Sequence, residues 1–201
     1  MDEVAPGLWR WTAPHPDWRP GAAAGSSGDW PHDVGSVLYL TDDAAVFFDP
    51  LLPPEPEAFW RFADQHCRGR RVSVLTTIGW HSRSRAELIE RYGACRSRAK
   101  RSLPAGVESR VIRDAGETIF WLPSAQALIP GDRILGADGG RLQLCPDSWM
   151  RYLRKPLTQA ELRERLRGLL ALPIERVLVS HGEPVLSGGG KALAELLDAP
   201  S

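Results

Sequence analysis

The sequence predicts a mixed α+β chain, a four-layer αββα sandwich built as one domain over residues 1–201. Three observations carry this. Apolar runs rich in β-branched residues recur along the chain, and helical spacing marks segments near its start, middle and end. A 201-residue chain with 43% hydrophobic residues can also bury one substantial core. No internal repeat is visible.

Taken in order, residues 7–12 read as a short aromatic strand after a Pro-Gly turn. Segment 13–35 is rich in Pro, Gly, Ala and Ser but carries Trp18 and Trp30. Loops of this length are usually functional or disordered, and two tryptophans point to packing against the body, over a site. Ser36-Val-Leu-Tyr-Leu-Thr-Asp-Asp-Ala-Ala-Val-Phe-Phe-Asp-Pro50 reads as a hairpin, two apolar strands around an Asp-Asp turn. A helix over 55–67 follows a proline-rich turn, then a buried strand over 72–76 and a short helix from Ala86 to the terminal Gly93. Strands are expected at 107–112, 118–122, 127–129 and 142–144. Thr158-Gln-Ala-Glu161 is a capping box opening a helix to Leu170. A strand over 176–180 and a helix over 191–197 close the chain.

Composition excludes several classes. With 25 basic and 25 acidic residues the formal charge is zero, so neither nucleic acid nor an anionic membrane surface is an expected partner. The basic cluster Arg96-Ser-Arg-Ala-Lys-Arg101 lacks the interleaved aromatics of a single-strand binder and reads as a solvated turn. Ser187-Gly-Gly-Gly-Lys191 lacks the spacing of a phosphate loop and reads as a flexible linker. No apolar run is long enough to span a bilayer, and the acidic start has no leader-like apolar stretch. Cys67, Cys95 and Cys145 are odd in number and far apart, which fits a reduced, cytoplasmic protein.

The chemistry centres on Leu75-Thr-Thr-Ile-Gly-Trp-His-Ser-Arg-Ser-Arg85, between the 72–76 strand and the following helix. This stretch resembles the strand-to-helix loop of the metallo-β-lactamase superfamily, which reads Thr-His-x-His-x-Asp-His. The opening hairpin ending in Asp49, the pair Phe120-Trp-Leu-Pro and Ala127-Leu-Ile-Pro-Gly-Asp132, and Val177-Leu-Val-Ser-His-Gly-Glu-Pro184 resemble further family motifs in the same order. Met1 to Trp11 resembles the family's start. The resemblance covers nearly the whole chain and implies the family's αββα fold.

It also implies a degenerate metal site. Such sites hold two ions roughly 3.5–4 Å apart. Thr77 and Gly79 fall where the first two histidines would be, and counting back from Phe120-Trp121 places Arg113 at the third. None of these is a zinc ligand of the usual kind, so the first site is expected to be lost. The second keeps Asp132 and His181 at ligand positions and offers His81 at a third. Two imidazoles and a carboxylate suit one divalent ion, zinc, iron or manganese, with a position open for water. Each residue also has a plainer role: His81 bonded to a loop carbonyl, Asp132 receiving turn N–H groups, His181 packed in a loop. Asp49 is implied as a hydrogen-bonding support. His15, His32 and His66 have no partner at ligand spacing and read as surface or loop residues.

Two functions of different class follow. One is a hydrolase of a small ester or thioester-type substrate using one metal-bound water. The other is a metal-free, catalytically silent protein binding a small anion or a partner protein. In the second, Arg113 supplies the missing positive charge by pairing with Asp132 or Asp114, and Arg83 with Arg85 grips an anion at the mouth.

Overall fold

The computed structural model describes residues 1–23, 30–96 and 103–199. Its elements in order are β1 (Asp2–Ala5), β2 (Leu8–Pro14), β3 (Asp33–Leu40), β4 (Ala44–Phe48), α1 (Glu57–Cys67), β5 (Arg71–Leu75), α2 (Arg85–Tyr92) and β6 (Cys95–Arg96). These are followed by β7 (Glu108–Ile112), β8 (Glu117–Leu122), β9 (Ala127–Ile129), β10 (Ile134–Ala137), β11 (Arg141–Leu144), α3 (Asp147–Met150), α4 (Gln159–Leu166), β12 (Arg176–Val177) and α5 (Gly189–Asp198). β1 to β6 form one sheet in sequence order, β12-β9-β8-β7 form a second, and β10 with β11 a separate hairpin. The parallel pairs β4–β5 and β5–β6 require crossovers, which α1 and α2 supply.

Side-chain alternation sets the layers. In β4, Ala45 and Phe47 cluster with Phe59 and Ala63 of α1 and Leu88 of α2. The intervening Ala44, Val46 and Phe48 cluster with Phe120 and Leu122 of β8. In β8 the other face, Ile119 and Trp121, packs with Leu162 and Leu166 of α4 and Leu193 and Leu197 of α5. Three apolar interfaces between helices, sheet, sheet and helices make the αββα sandwich. β4 is buried on both faces, which is why its sequence is an unbroken apolar run.

Several boundaries differ from the sequence expectation for physical reasons. Strand β10 is read only in three dimensions, through its pairing with β11. The strand expected over 176–180 keeps its ladder only at Arg176–Val177. Beyond it the chain swings to the first sheet, where Gly35 N–H donates to Ser180 O at 2.7 Å and Val34 bridges His181. The helix expected to reach Leu170 tightens after Leu166 into a 3-10 turn, Arg167–Ala171. The glycine run is no linker: Gly188 takes φ +67 and Gly189 begins α5, packed so closely that a Cβ there would lie 2.9 Å from Ile174. Gly93 caps α2 in the left-handed region, and the Thr158–Glu161 capping box is formed. Of the cluster 96–101, only Arg96 lies inside the described residues. No helix among the described residues is long and apolar enough to cross a membrane.

Candidate metal centre and its cavity

Loops leaving β4, β5, β9 and β12 meet at one end of the sandwich, and each delivers a polar side chain. Asp49, at the end of β4, is buried. Its Oδ1 accepts Thr77 N–H at 2.9 Å, while Oδ2 accepts the Thr77 hydroxyl and, at 2.9 Å, His81 Nδ1. Asp49 and Arg83 hold φ of +46° and +35°, a left-handed backbone unusual outside glycine, and each is anchored there by its side chain.

With Nδ1 fixed by Asp49, the other imidazole nitrogen of His81 points at Asp132. His81 Nε2 lies 2.9 Å and His181 Nε2 3.4 Å from Asp132 Oδ1. Neither approach is a well-directed hydrogen bond, so this buried oxygen keeps unclaimed lone pairs, as does His181 Nδ1 among the described residues. The outer oxygen, Oδ2, accepts the Trp80 indole N–H at 2.7 Å. The ligand-type atoms of His81, Asp132 and His181 all lie within 4.8 Å of one another. That is a convergence of ligand atoms on a shared space more than a finished hydrogen-bond network, and the donor set suits one divalent ion.

Charge in the centre is strongly perturbed. Burial disfavours protonation of His81, but Asp132 and Asp49 outweigh it and lift its pKa to about 9. Burial would raise Asp132, yet the two imidazoles hold it well below the usual carboxylate range. Burial keeps His181 neutral by lowering its pKa.

Glu117, at the start of β8, is the residue that sequence reasoning missed. Its Oε1 accepts Gly131 N–H at 3.0 Å, and its Oε2 accepts Asp132 N–H and Arg133 N–H, each at 2.9 Å. It thus clamps the turn that presents Asp132. Burial, then the negative charge of Asp132, pushes its pKa up to about 7. Gly116-Glu117-Thr118 was the available signal, a Gly-x-Thr turn immediately before the β8 run.

Arg113 must be corrected. It sits exposed in the β7–β8 turn and does not reach the centre. Asp114 and Gly116, both at positive φ, shape that turn so that Glu117 comes inward. Asp114 pairs with Arg165 at 3.3 Å, and Asp132 is balanced by His81 and His181. The buried arginine is Arg133, fully shielded, which donates through Nε to Ala115 O at 3.1 Å. Arg83 does line the cavity, but its Nη1 is committed to Gly35 O and Asp49 O, each at 2.9 Å. It ties three loops together, since Nη2 also reaches Ser180 Oγ at 3.4 Å. Arg85 extends to Thr76 Oγ1 at 3.4 Å and is not part of the lining.

The centre floors a cavity of about 370 Å³ whose walls include His15, Trp30, Trp80, Trp149 and Tyr152. His15 is therefore more than a surface histidine: it stacks on Trp30 with centroids 5.0 Å apart, and burial followed by His181 lowers its pKa to about 4. From segment 13–35, Trp30 reaches the cavity, whereas Trp18 packs edge-on against His32.

These shifts predict how the metal-free protein responds to pH. His81 is raised from 6.5 to about 9, so its contribution is complete below pH 6.5 and lost as pH rises through 9. Glu117 is raised from 4.5 to about 7, so ionising it destabilises the fold over that interval. Both act in one direction. Below pH 6.5 the lowered pKa values of His15 and His181 act the other way, so thermal melts in chelator should show Tm falling from about pH 7 to pH 9; a flat or rising profile over that interval contradicts this charge assignment.

A four-layer αββα sandwich with a buried His-Asp-His cluster at the end of its sheets defines the class. No protein-family profile and no curated protein matches the sequence. The likeness is three-dimensional. The metallo-β-lactamase from Pontibacter korlensis superposes with TM-score 0.62 at 14% identity, covering 99% of this chain and 98% of that one. The NDM/FIM-1-like metallo-β-lactamase of Erythrobacter litoralis, in its mono-zinc form, gives TM-score 0.62 at 16% identity over 98% and 94%. The DIM-1 metallo-β-lactamase gives 0.61 at 10% identity over 98% and 95%. The chain has the metallo-β-lactamase fold; at these identities the fold is what is shared.

Proposed function

We propose that the chain is a hydrolase acting with one divalent ion, zinc, iron or manganese, on a small ester or thioester-type substrate. The observation that carries the reading is the meeting of His81, Asp132 and His181 from three separate loops at the cavity floor, within 4.8 Å of one another. His81, Asp132 and His181 would hold the ion, which would supply an acidified water and Lewis-acid character at the scissile carbonyl. Asp49 holds Nδ1 of His81 so that Nε2 faces the shared space, and Trp80 fixes the outer oxygen of Asp132. Glu117 sets the turn on which Asp132 sits. The mono-zinc form of the Erythrobacter litoralis enzyme is a precedent for a single ion on this fold.

One observation favours the second reading, a silent binding protein: His81 already has a carboxylate at each ring nitrogen, so a proton can substitute for the ion. Elemental analysis of protein purified without chelator, beside His181→Ala, separates the two. The hydrolase reading expects about one ion per chain, lost in the variant. No metal in either protein, even after supplementation, would sink it and turn attention to ligands and partners.

A further inference from the structure

We infer that the cavity above this centre takes an uncharged planar aromatic group, and that such a group forms the non-reacting part of the substrate; the word substrate rests on the hydrolase reading, the binding does not. Four rings reach one space from positions far apart in the chain. Trp30 comes from the segment between β2 and β3, Trp80 from the loop after β5, Trp149 from α3, and Tyr152 from just beyond it. A volume of about 370 Å³ is within the range of small-molecule sites. Trp80 and Tyr152 remain 51% and 45% exposed, with centroids 6.2 Å apart at an interplanar angle of 58°. Rings left open to water beside a concavity are covered favourably by another ring, in offset or edge-on contact.

The charges argue for a neutral ligand. For an anionic ring, Nη1 of Arg83 is already held by two backbone carbonyls, and Arg133, whose Nη2 has no partner among the described residues, is fully shielded from solvent, its guanidinium carbon 5.9 Å from the Trp80 ring. Such a ring would also meet Asp17 in the lining. A cationic ring would meet Asp17 but also Arg83 and Arg133, and the Asp132 carboxylate already lies against His81, His181 and Trp80, so the lining favours neither sign of charge. Away from the His81–Asp132–His181 cluster, Trp30 Nε1 offers a polar handle: it is buried and has no acceptor among the described residues. It suits an ester, ether or hydroxyl oxygen on the ligand.

The test is calorimetric titration of chelator-treated protein with naphthol, its saturated counterpart decahydronaphthol, naphthoate and naphthylmethyl-trimethylammonium. Naphthol is expected to bind about tenfold more tightly than the saturated or charged probes. Tyr152→Ala, at an exposed position, and Trp80→Leu, whose fold is checked by its thermal melt because it also frees Asp132 Oδ2, are each expected to weaken it about two- to tenfold. Equal affinity for decahydronaphthol, preference for either charged probe, or unchanged binding in both variants would overturn the inference. Because no metal takes part, failure here leaves the hydrolase reading intact, and an empty metal analysis leaves the aromatic site intact.

Discussion

Replacing Gly136 with alanine is expected to cost about 3 kcal/mol or more and to dislodge His181. A Cβ at this position would lie 1.9 Å from the carbonyl oxygen of Glu183 and 2.6 Å from its nitrogen. Both are backbone atoms, so no side chain can rotate away. Gly182 faces the same contact from the other side at φ +84°, its own Cβ falling 2.2 Å from Gly136 O. The pairing lets Gly136 N–H donate to His181 O at 2.9 Å, which presses β10 against the chain that carries the ligand. For a chain of this length, about 3 kcal/mol corresponds to a Tm lower by roughly 6–12 °C. Thermal melts check the stability, and elemental analysis checks whether metal uptake falls with it. A variant melting within about 2 °C of the parent would show that the contact relaxes freely.

Glu117→Ala should be comparably severe. It strips the acceptor from the three backbone N–H groups of Gly131, Asp132 and Arg133, all in the turn that presents Asp132. Each buried donor left unpaired costs about 1–3 kcal/mol, and shielded Arg133 loses a nearby opposite charge. Relief of the desolvation that pushes the Glu117 pKa up to about 7 offsets part of this. The net expectation is about 3 kcal/mol by urea unfolding at pH 7. The ionisation penalty of the parent grows from pH 4.5 to about 7, so the deficit should be larger at pH 5 than at pH 8. Glu117→Gln, which keeps one oxygen, should lose less. A Glu117→Ala protein as stable as the parent would show that the turn holds Asp132 without it.

Much of the fold was legible because it rests on local rules. The helix α1, the cap at Gly93, the Thr158–Glu161 box and the hairpin around Asp42-Asp43 follow from periodicity, chirality and short-range hydrogen bonding. What local rules do not encode is which residue of a turn faces inward. Arg113 and Glu117 sit at the two ends of one tight turn, and only the register of β7 on β8, with Asp114 and Gly116 at positive φ, turns Glu117 in and Arg113 out. Trp80 and His15 show the same limit, being side chains of polar loops whose neighbours come from distant strands.

The sequence by itself determined the elements, their amphipathic faces and the residue types able to hold an ion, since period-2 and period-3.6 patterns and ligand chemistry are properties of the chain. Only the tertiary structure decided which of them meet. Asp49, His81, Asp132 and His181 are brought together by the parallel pairing of β4 with β5, a buried clamp at Glu117 and a glycine contact at Gly136 and Gly182. Those contacts are non-local, and their geometry exists only once the two sheets have packed.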